Sequence, residues 1–540
     1  MSFRPSDLTA DDQFTLFGGY ANLTEREKKH LENSWAESFR NEIYPAINEE
    51  RFAVLYSDNA ASRPNTSVKF ILGAIILGML LGLSEAELIE SILFDIRFQY
   101  ALHTLHCPEQ PVNEHSFRRF RQRVLRYKTE TGIDLMEEEF KHLTSVMGKI
   151  MKLNPTVKRM DSMMVASHCK SMSRLEVIYQ VNANAVQLLH KNGRDDLISD
   201  ELKHYLEKDD LNDVIYYSKS DELPSRLATV VSELITLLTV MKTDEWSEFT
   251  EYQHLCRVME EQCKQDEEGK IIPKENGEIS SQSLQNPSDP DATFRRKAGE
   301  AHKGYVVNIG ETTGEEGDSL ITELSIEKNT HSDADFCKEY LNGRPDDAER
   351  ETMIVDGAFG SDENFKLATE KNVELIATAL TGVLPDPIYA EFEMNEDGTS
   401  VVKCPAGHTP FRQHFNEKTE MCRAVMAADC CANCPHRDKC HPKKQKSSYV
   451  VNVSRKKVQR AKYMKQLSTE KYIQITHIRN AIEGIPSVLR RKFRIDEIPV
   501  FGLLSMTFFI QVKVVAYNFG KFFRSRRRTQ TSCALTQVTE

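Results

Sequence analysis

The chain reads as an α/β protein in which a mixed sheet is flanked by helices, preceded by an all-α region and interrupted by one helical and one small cysteine-rich insertion. Three observations predict this. From about residue 156, segments with strand-like and helix-like patterns succeed one another as strand, long insertion, strand, strand, helix, strand, helix, strand. Six of the 12 cysteines, Cys404, Cys422, Cys430, Cys431, Cys434 and Cys440, crowd into one short stretch. Charge is divided just as unevenly: residues 443–528 hold 21 Lys plus Arg against four acids, a net of +17, which leaves −28 for the rest of a chain whose total is −11.

A length of 540 residues exceeds what one hydrophobic core organises, so several domains are expected. With 40% hydrophobic and 28% charged residues the chain is ordinary globular protein, which excludes collagen-like, mucin-like and wholly disordered classes. The longest uncharged apolar stretches, 70–83 and 498–512, are short for a bilayer span, and the N-terminus has no apolar core behind a basic start. No membrane partner is therefore expected, and the location is read as cytoplasmic. There, clustered cysteines read as metal ligands before disulfides. The basic stretch reads as a polyanion-binding surface.

The elements follow in order. The first 60 or so residues predict little beyond some helix. An apolar helix starts at Ser67 and runs to about residue 83, and Ser84 with Glu87 forms a capping-box pattern that opens a second helix toward Phe94. After the break at 108–111, Asn113 or Ser116 caps a third helix. On it Phe117, Phe120 and Val124 share one face while Arg118, Arg119, Arg121 and Arg123 crowd the rest. Such a helix suits a DNA backbone or groove, and equally a surface helix with structural arginines. Residues 156–165 predict a strand carrying Asp161. Residues 171–290 follow as an insertion, acidic through 191–290 (net −12), with helices at 227–241 and 251–264. Strands at 305–309 and 319–326 read as a hairpin across a Gly-rich turn at 314–317. A helix near 333–341, a strand at 353–355 ending in Asp356-Gly357, a helix capped by Ser361 and a buried strand at 373–380 complete this part. The basic region predicts helices at 469–482 and 510–523.

Three acids stand out by position. Asp161 lies within an otherwise apolar strand, where a carboxylate is costly to bury unless a cation meets it. Asp356 closes a strand, the usual place for a ligand-facing residue. Glu483 lies in the most basic part of the chain, with Arg479 four residues before it and Arg490 seven after, on one side of a continuous helix. Phosphodiester cleavage needs such a set: carboxylates from separate elements hold two Mg²⁺ ions about 4 Å apart, and neighbouring cations bind the phosphates.

The motifs Asp161-Ser162, Val355-Asp356-Gly357-Ala358-Phe359-Gly360 and Arg479-Asn480-Ala481-Ile482-Glu483-Gly484 resemble those of the DDE transposases of bacterial insertion sequences, which carry an RNase H-like core. So do Ser62-Arg63-Pro64 through Phe117-Arg118-Arg119-Phe120-Arg121 and the pairing of Asp289 to Ala292 with Lys303-Gly304-Tyr305. The resemblance extends over nearly the whole chain. It implies an RNase H-like mixed sheet, a catalytic triad of Asp161, Asp356 and Glu483 holding two Mg²⁺ per active site, and phosphate contacts from Arg479 and Arg490. The family's Tyr, Arg, Glu, Lys signature is altered at two places, with Thr476 for Tyr and Arg490 for Lys; Tyr472, one turn earlier, is a substitute for the missing aromatic. Pro486, three residues after Glu483, demands a kink or a helix end there.

Cys431, Cys434 and Cys440, with Cys404 upstream, supply four thiolates for a structural Zn²⁺, and Cys422, Cys430, His408, His436 and His441 compete for the same role. The expected organisation is a helical DNA-binding region (1–150), the first part of the core (151–170), the acidic insertion (171–290), the core continued (291–385), the cysteine-rich module (386–446) and the basic end of the core (447–540). The expected function is a transposase that cuts double-stranded DNA at its element's terminal inverted repeats and joins the 3′ ends to target DNA. It would act as a homodimer on DNA, associated with the nucleoid. A non-catalytic zinc-containing DNA-binding protein and a stand-alone metal-dependent nuclease are the alternatives.

Overall fold

The structure is a computed structural model of the full chain; it describes all residues except 7–19, 60, 106, 108–109, 112–113, 216–220, 244, 298, 315–316 and 540. The expected cap Asn113, Pro108 of the expected break and the middle of the 314–317 turn lie outside the described residues. The chain divides into two compact units, one of Met1–Leu153, Ser162–Ser332 and Pro486–Glu540, the other of Asn154–Asp161 and Asp333–Ile485.

In the first unit, α1 (Val68–Leu81) starts where the Ser67 side chain accepts from Phe70 N–H, and ends at Gly82 in the left-handed conformation, φ +71°. Nearly all its residues are buried, as an apolar run without a polar face requires. The Ser84–Glu87 capping box opens α2 (Glu85–Phe94) as expected. Helix α3 (Glu114–Thr131) buries Phe117, Phe120 and Val124 to 2% exposure or less, and α4 (Leu135–Ile150) follows. Strand β1 (Val157–Ala166) leads from the second unit into the first. The insertion then folds around its own core: α5 (Arg174–Lys191), α6 (Leu223–Val240) and α7 (Thr250–Gln262) pack Ile178, Val186, Leu234, Leu237 and Leu255 together with Trp246.

Strands β2 (Thr293–Lys297), β3 (Glu300–Thr313) and β4 (Ser319–Lys328) form an antiparallel meander. Gly304, φ +148°, lies where a Cβ would run into the backbone of Val165 to Ser167, so β3 approaches β1 only because this residue has no side chain. The C-terminal helix, Leu503–Thr539, packs against α1, α4 and β4. Its fully buried Asn518 donates to Ile321 O (2.8 Å) and accepts from Ile321 N–H (2.9 Å), and Lys521 meets the fully buried Glu311 at 2.7 Å. By length and composition Leu223–Val240 and Leu503–Thr529 are apolar enough to cross a membrane; the second is mostly buried within its unit.

The second unit holds the first half of β1, α8 (Asp333–Gly343), β5 (Glu351–Val355), α9 (Asp362–Glu370) and β6 (Val373–Ala377). Here β1, β5 and β6 are parallel neighbours. Hydrogen bonding across the whole sheet runs β2-β3-β1-β5-β6, with β4 on β3, so the sheet is mixed, as an RNase H-like core requires. A second, four-stranded antiparallel sheet contains β7 (Arg412–Asn416), β8 (Met421–Ala427), β9 (Lys443–Lys444) and β10 (Ser448–Ser454), in the order β7-β8-β10-β9. Helices α10 (Arg455–Leu467) and α11 (Glu470–Asn480) end the unit's run of secondary structure.

Candidate active site

Strands β1 and β5 are paired in register, with Met160 opposite Val355. Asp161 and Asp356 are the next residues on each. Parallel neighbours lie about 4.8 Å apart, so Asp161 and Asp356 follow the last paired residues of adjacent strands. Met160 and Val355 point the other way into the core, at 1% and 0% exposure. After Asp356 the chain turns sharply through Gly357–Phe359, with the Asp356 carboxylate accepting from Gly357 N–H at 2.7 Å. A Cβ on Gly357 would stand 2.7 Å from Ala379 O, which is why glycine follows the aspartate.

The third acid reaches this pair through an arginine. Arg479 Nη1 donates to Glu483 Oε1 at 3.0 Å, and its Nη2 stands 3.8 Å from Asp161 Oδ1. The cation that a strand-borne carboxylate needs is thus Arg479, whose side chain is only 13% exposed and whose Nε is buried without a partner. Arg159 holds the helix end in place: two residues before Asp161 on β1, it donates to Ile478 O at 2.5 Å. Tyr463, from α10, donates to Ala377 O at the carboxyl end of β6 (2.8 Å), and burial pushes its phenol up to about 12. Sequence reasoning named neither Arg159 nor Tyr463. The only signal for Arg159 was its spacing of two from Asp161.

Some expectations are corrected. Arg479, Glu483 and Arg490 do not share one continuous helix: α11 ends at Asn480, a 3₁₀ turn spans Ala481–Glu483, and α12 (Gly484–Arg491) begins anew. Pro486 near the start of a helix costs no backbone hydrogen bond, and so the chain breaks just before it. Arg490 belongs to the first unit, where it donates to Met164 O (2.8 Å) and pairs with Asp496 (3.1 Å). Tyr472 does not replace the missing aromatic, because it is buried and its hydroxyl accepts from Gln466. On α3, Arg118 and Arg119 are exposed, whereas Arg121 pairs with Glu85 at 2.8 Å and Arg123 lies over the Tyr56 ring, 4.8 Å from its centroid.

In the cysteine-rich module the four expected thiols are neighbours. Burial pushes the thiol of Cys431 up to about 11, helped by Cys434, Cys404 and Cys430, and that of Cys440 up to about 11, helped by Cys434, Cys404 and Cys431. Even so, no three His, Cys, Asp or Glu residues among the described residues are drawn together closely enough to hold a metal ion. The expectation of a tetrahedral zinc site is corrected accordingly, with Cys422 and Cys431 packed in the module's apolar core, and Asp161, Asp356 and Glu483 likewise do not form such a group. The carboxylates suit a hard divalent cation in kind, with the Arg479 guanidinium now beside two of them.

Two family models match the chain. One, described as Transposase DDE domain, covers residues 403–523 and includes the four thiols, Arg479, Glu483 and Arg490. The other, described as Transposase domain (DUF772), covers residues 26–123, from the N-terminal helices into α3. No curated protein and no solved structure matches. In both its N-terminal and its C-terminal parts the chain is thus similar to the transposases of DDE type, around a sheet that is mixed.

Proposed function

We propose that the protein cuts DNA at the terminal inverted repeats of its own element and joins the freed 3′ ends to target DNA. One observation carries this reading: Asp161 and Asp356 leave neighbouring parallel strands in the same register, and Glu483 is tied to Asp161 through Arg479. In the cutting step a water oxygen attacks phosphorus and the 3′ oxygen leaves with a proton; in joining, that 3′ hydroxyl loses its proton and attacks a target phosphodiester, whose own 3′ oxygen leaves and takes up a proton. Divalent cations, Mg²⁺ by the hardness of the donors, supply Lewis acidity and an activated oxygen nucleophile when bound. Asp161 and Asp356 would hold the shared ion and Glu483 would complete a second site.

Arg479 keeps two like charges close by standing between them, and its planar fork is suited to a DNA phosphate. Arg490 contributes a phosphate contact, and the exposed Arg118 and Arg119 contact the backbone of the element's end. Cutting two ends together calls for at least two subunits on DNA, which places the protein with the nucleoid in the cytoplasm.

The test uses the full-length protein and labelled end fragments. Asp161→Asn and Asp356→Asn should each keep end binding within about threefold and lose cleavage by roughly a thousandfold or more. Unchanged cleavage in either variant rejects the mechanism. Pre-cleaved ends incubated with a target plasmid then separate strand transfer from plain nuclease action, since a nuclease yields no joined product.

A further inference from the structure

The four-stranded sheet of the second unit has two unlike faces. Cys422, Ala424, Met426, Tyr449, Val451 and Val453 point inward and form the module's core. On the opposite face, register sets out two rows. Arg412 stands opposite Val425, Val425 opposite Val450, and Val450 opposite Lys443; the next row is His414, Arg423 and Asn452. Arg412, His414, Arg423, Lys443 and Asn452 are exposed.

The four strands contain no Asp or Glu at all. Arg412, Arg423 and Lys443 make no ion pair among the described residues, and of the acids in the turn between β7 and β8, Glu420 is taken by Arg455 at 2.9 Å. Like charges placed near one another on a sheet face oppose folding unless something of opposite sign meets them. Arg412 and Lys443 sit at the two exposed edges of one row, about 14 Å apart by three inter-strand spacings, with the half-buried Val425 and the buried Val450 between them. That separation suits the two phosphate strands that border a duplex groove about 12 Å wide.

We propose that this face is a docking surface for double-stranded DNA, with Arg412 and Lys443 on opposite phosphate strands and Arg423 on a third phosphate. It rests on the transposase reading and adds to it a DNA contact on the second unit's separate antiparallel sheet. The partner is a duplex because charge, acid-free composition and edge spacing all match one.

The experiment measures binding of full-length wild type and Arg412→Gln/Arg423→Gln/Lys443→Gln to an end duplex and to an unrelated duplex across a salt series. Loss of three phosphate contacts should lower the slope of log K against log salt by about 3 and weaken binding roughly tenfold or more near 0.1 M salt. Circular dichroism checks that the variant is folded. Should it not be, acylation footprinting of wild-type Lys443 decides instead, with protection by the duplex expected and equal labelling overturning the inference. An unchanged salt slope in a folded variant overturns it, as does a variant that alters only the self-association of the protein. Wild type that binds neither duplex would overturn the transposase reading as well, so the two failures are distinguishable.

Discussion

Within one strand, the two-residue period of side chains sets the site. Arg159 and Asp161 leave β1 on the same side, so the first fixes the carbonyl of Ile478 and the second meets the guanidinium of the very next residue, Arg479. Replacing Arg159, itself buried, with Met removes a charged donor from the part-buried Ile478 carbonyl and should lower unfolding stability by about 1–3 kcal/mol. Urea unfolding followed by circular dichroism measures this; an unchanged midpoint would mean that Arg159 does not hold the helix end. Asp161 was legible because a carboxylate in an apolar strand asks for an explanation. Arg159 was not, because in Lys158-Arg159 a cation reads as solvated surface. Arg490 was placed on the wrong helix for a related reason: spacing of seven means one face only while the helix is unbroken.

Among the elements, those with a strong periodic or capping signal were legible and those without were not. The capping box of α2 and the apolar face of α3 appear where the sequence predicts them. Helix α10 was missed because only Val458 and Ala461 of its 13 residues are buried, which leaves no apolar stripe to read. Strand β2, Thr-Phe-Arg-Arg-Lys, was missed because its charges hide the strand pattern. The C-terminal helix proved far longer than residues 510–523, since its second half is polar. One prediction belongs here. In the insertion, His204 is held by Glu233 (3.4 Å) and Asp210 (2.7 Å), Glu233 the stronger influence, and its pKa rises from 6.5 to about 9. A raised folded-state pKa stabilises fully below about pH 6.5 and is lost as pH climbs through about 9, so thermal stability should fall over that interval. His204→Gln should flatten this fall in a melting series from pH 6 to 10, and an equally steep fall in the variant would assign it to other groups.

At the scale of the whole molecule, the three acids belong to one compact unit although the chain leaves that unit after Asp161 and returns only at Asp333. Everything between, including the insertion, folds elsewhere in the first unit. Sequence alone supplied the acids as isolated positions; the parallel pairing of β1 with β5 and the contacts of Arg479 with Asp161 and Glu483 are long-range facts that no local pattern encodes. The basic balance of residues 443–528 was legible as a polyanion signal, but its cations divide between both units. The central claim is that Asp161, Asp356 and Glu483 form one carboxylate centre able to take divalent cations. Its most direct test is to load the full-length protein with Fe²⁺, add ascorbate and peroxide, and map the polypeptide cuts by mass spectrometry. The account predicts cuts near residues 161, 356 and 483 that excess Mg²⁺ suppresses and that Asp161→Asn/Asp356→Asn abolishes; cuts confined to other parts of the chain, or none that Mg²⁺ suppresses, would contradict it.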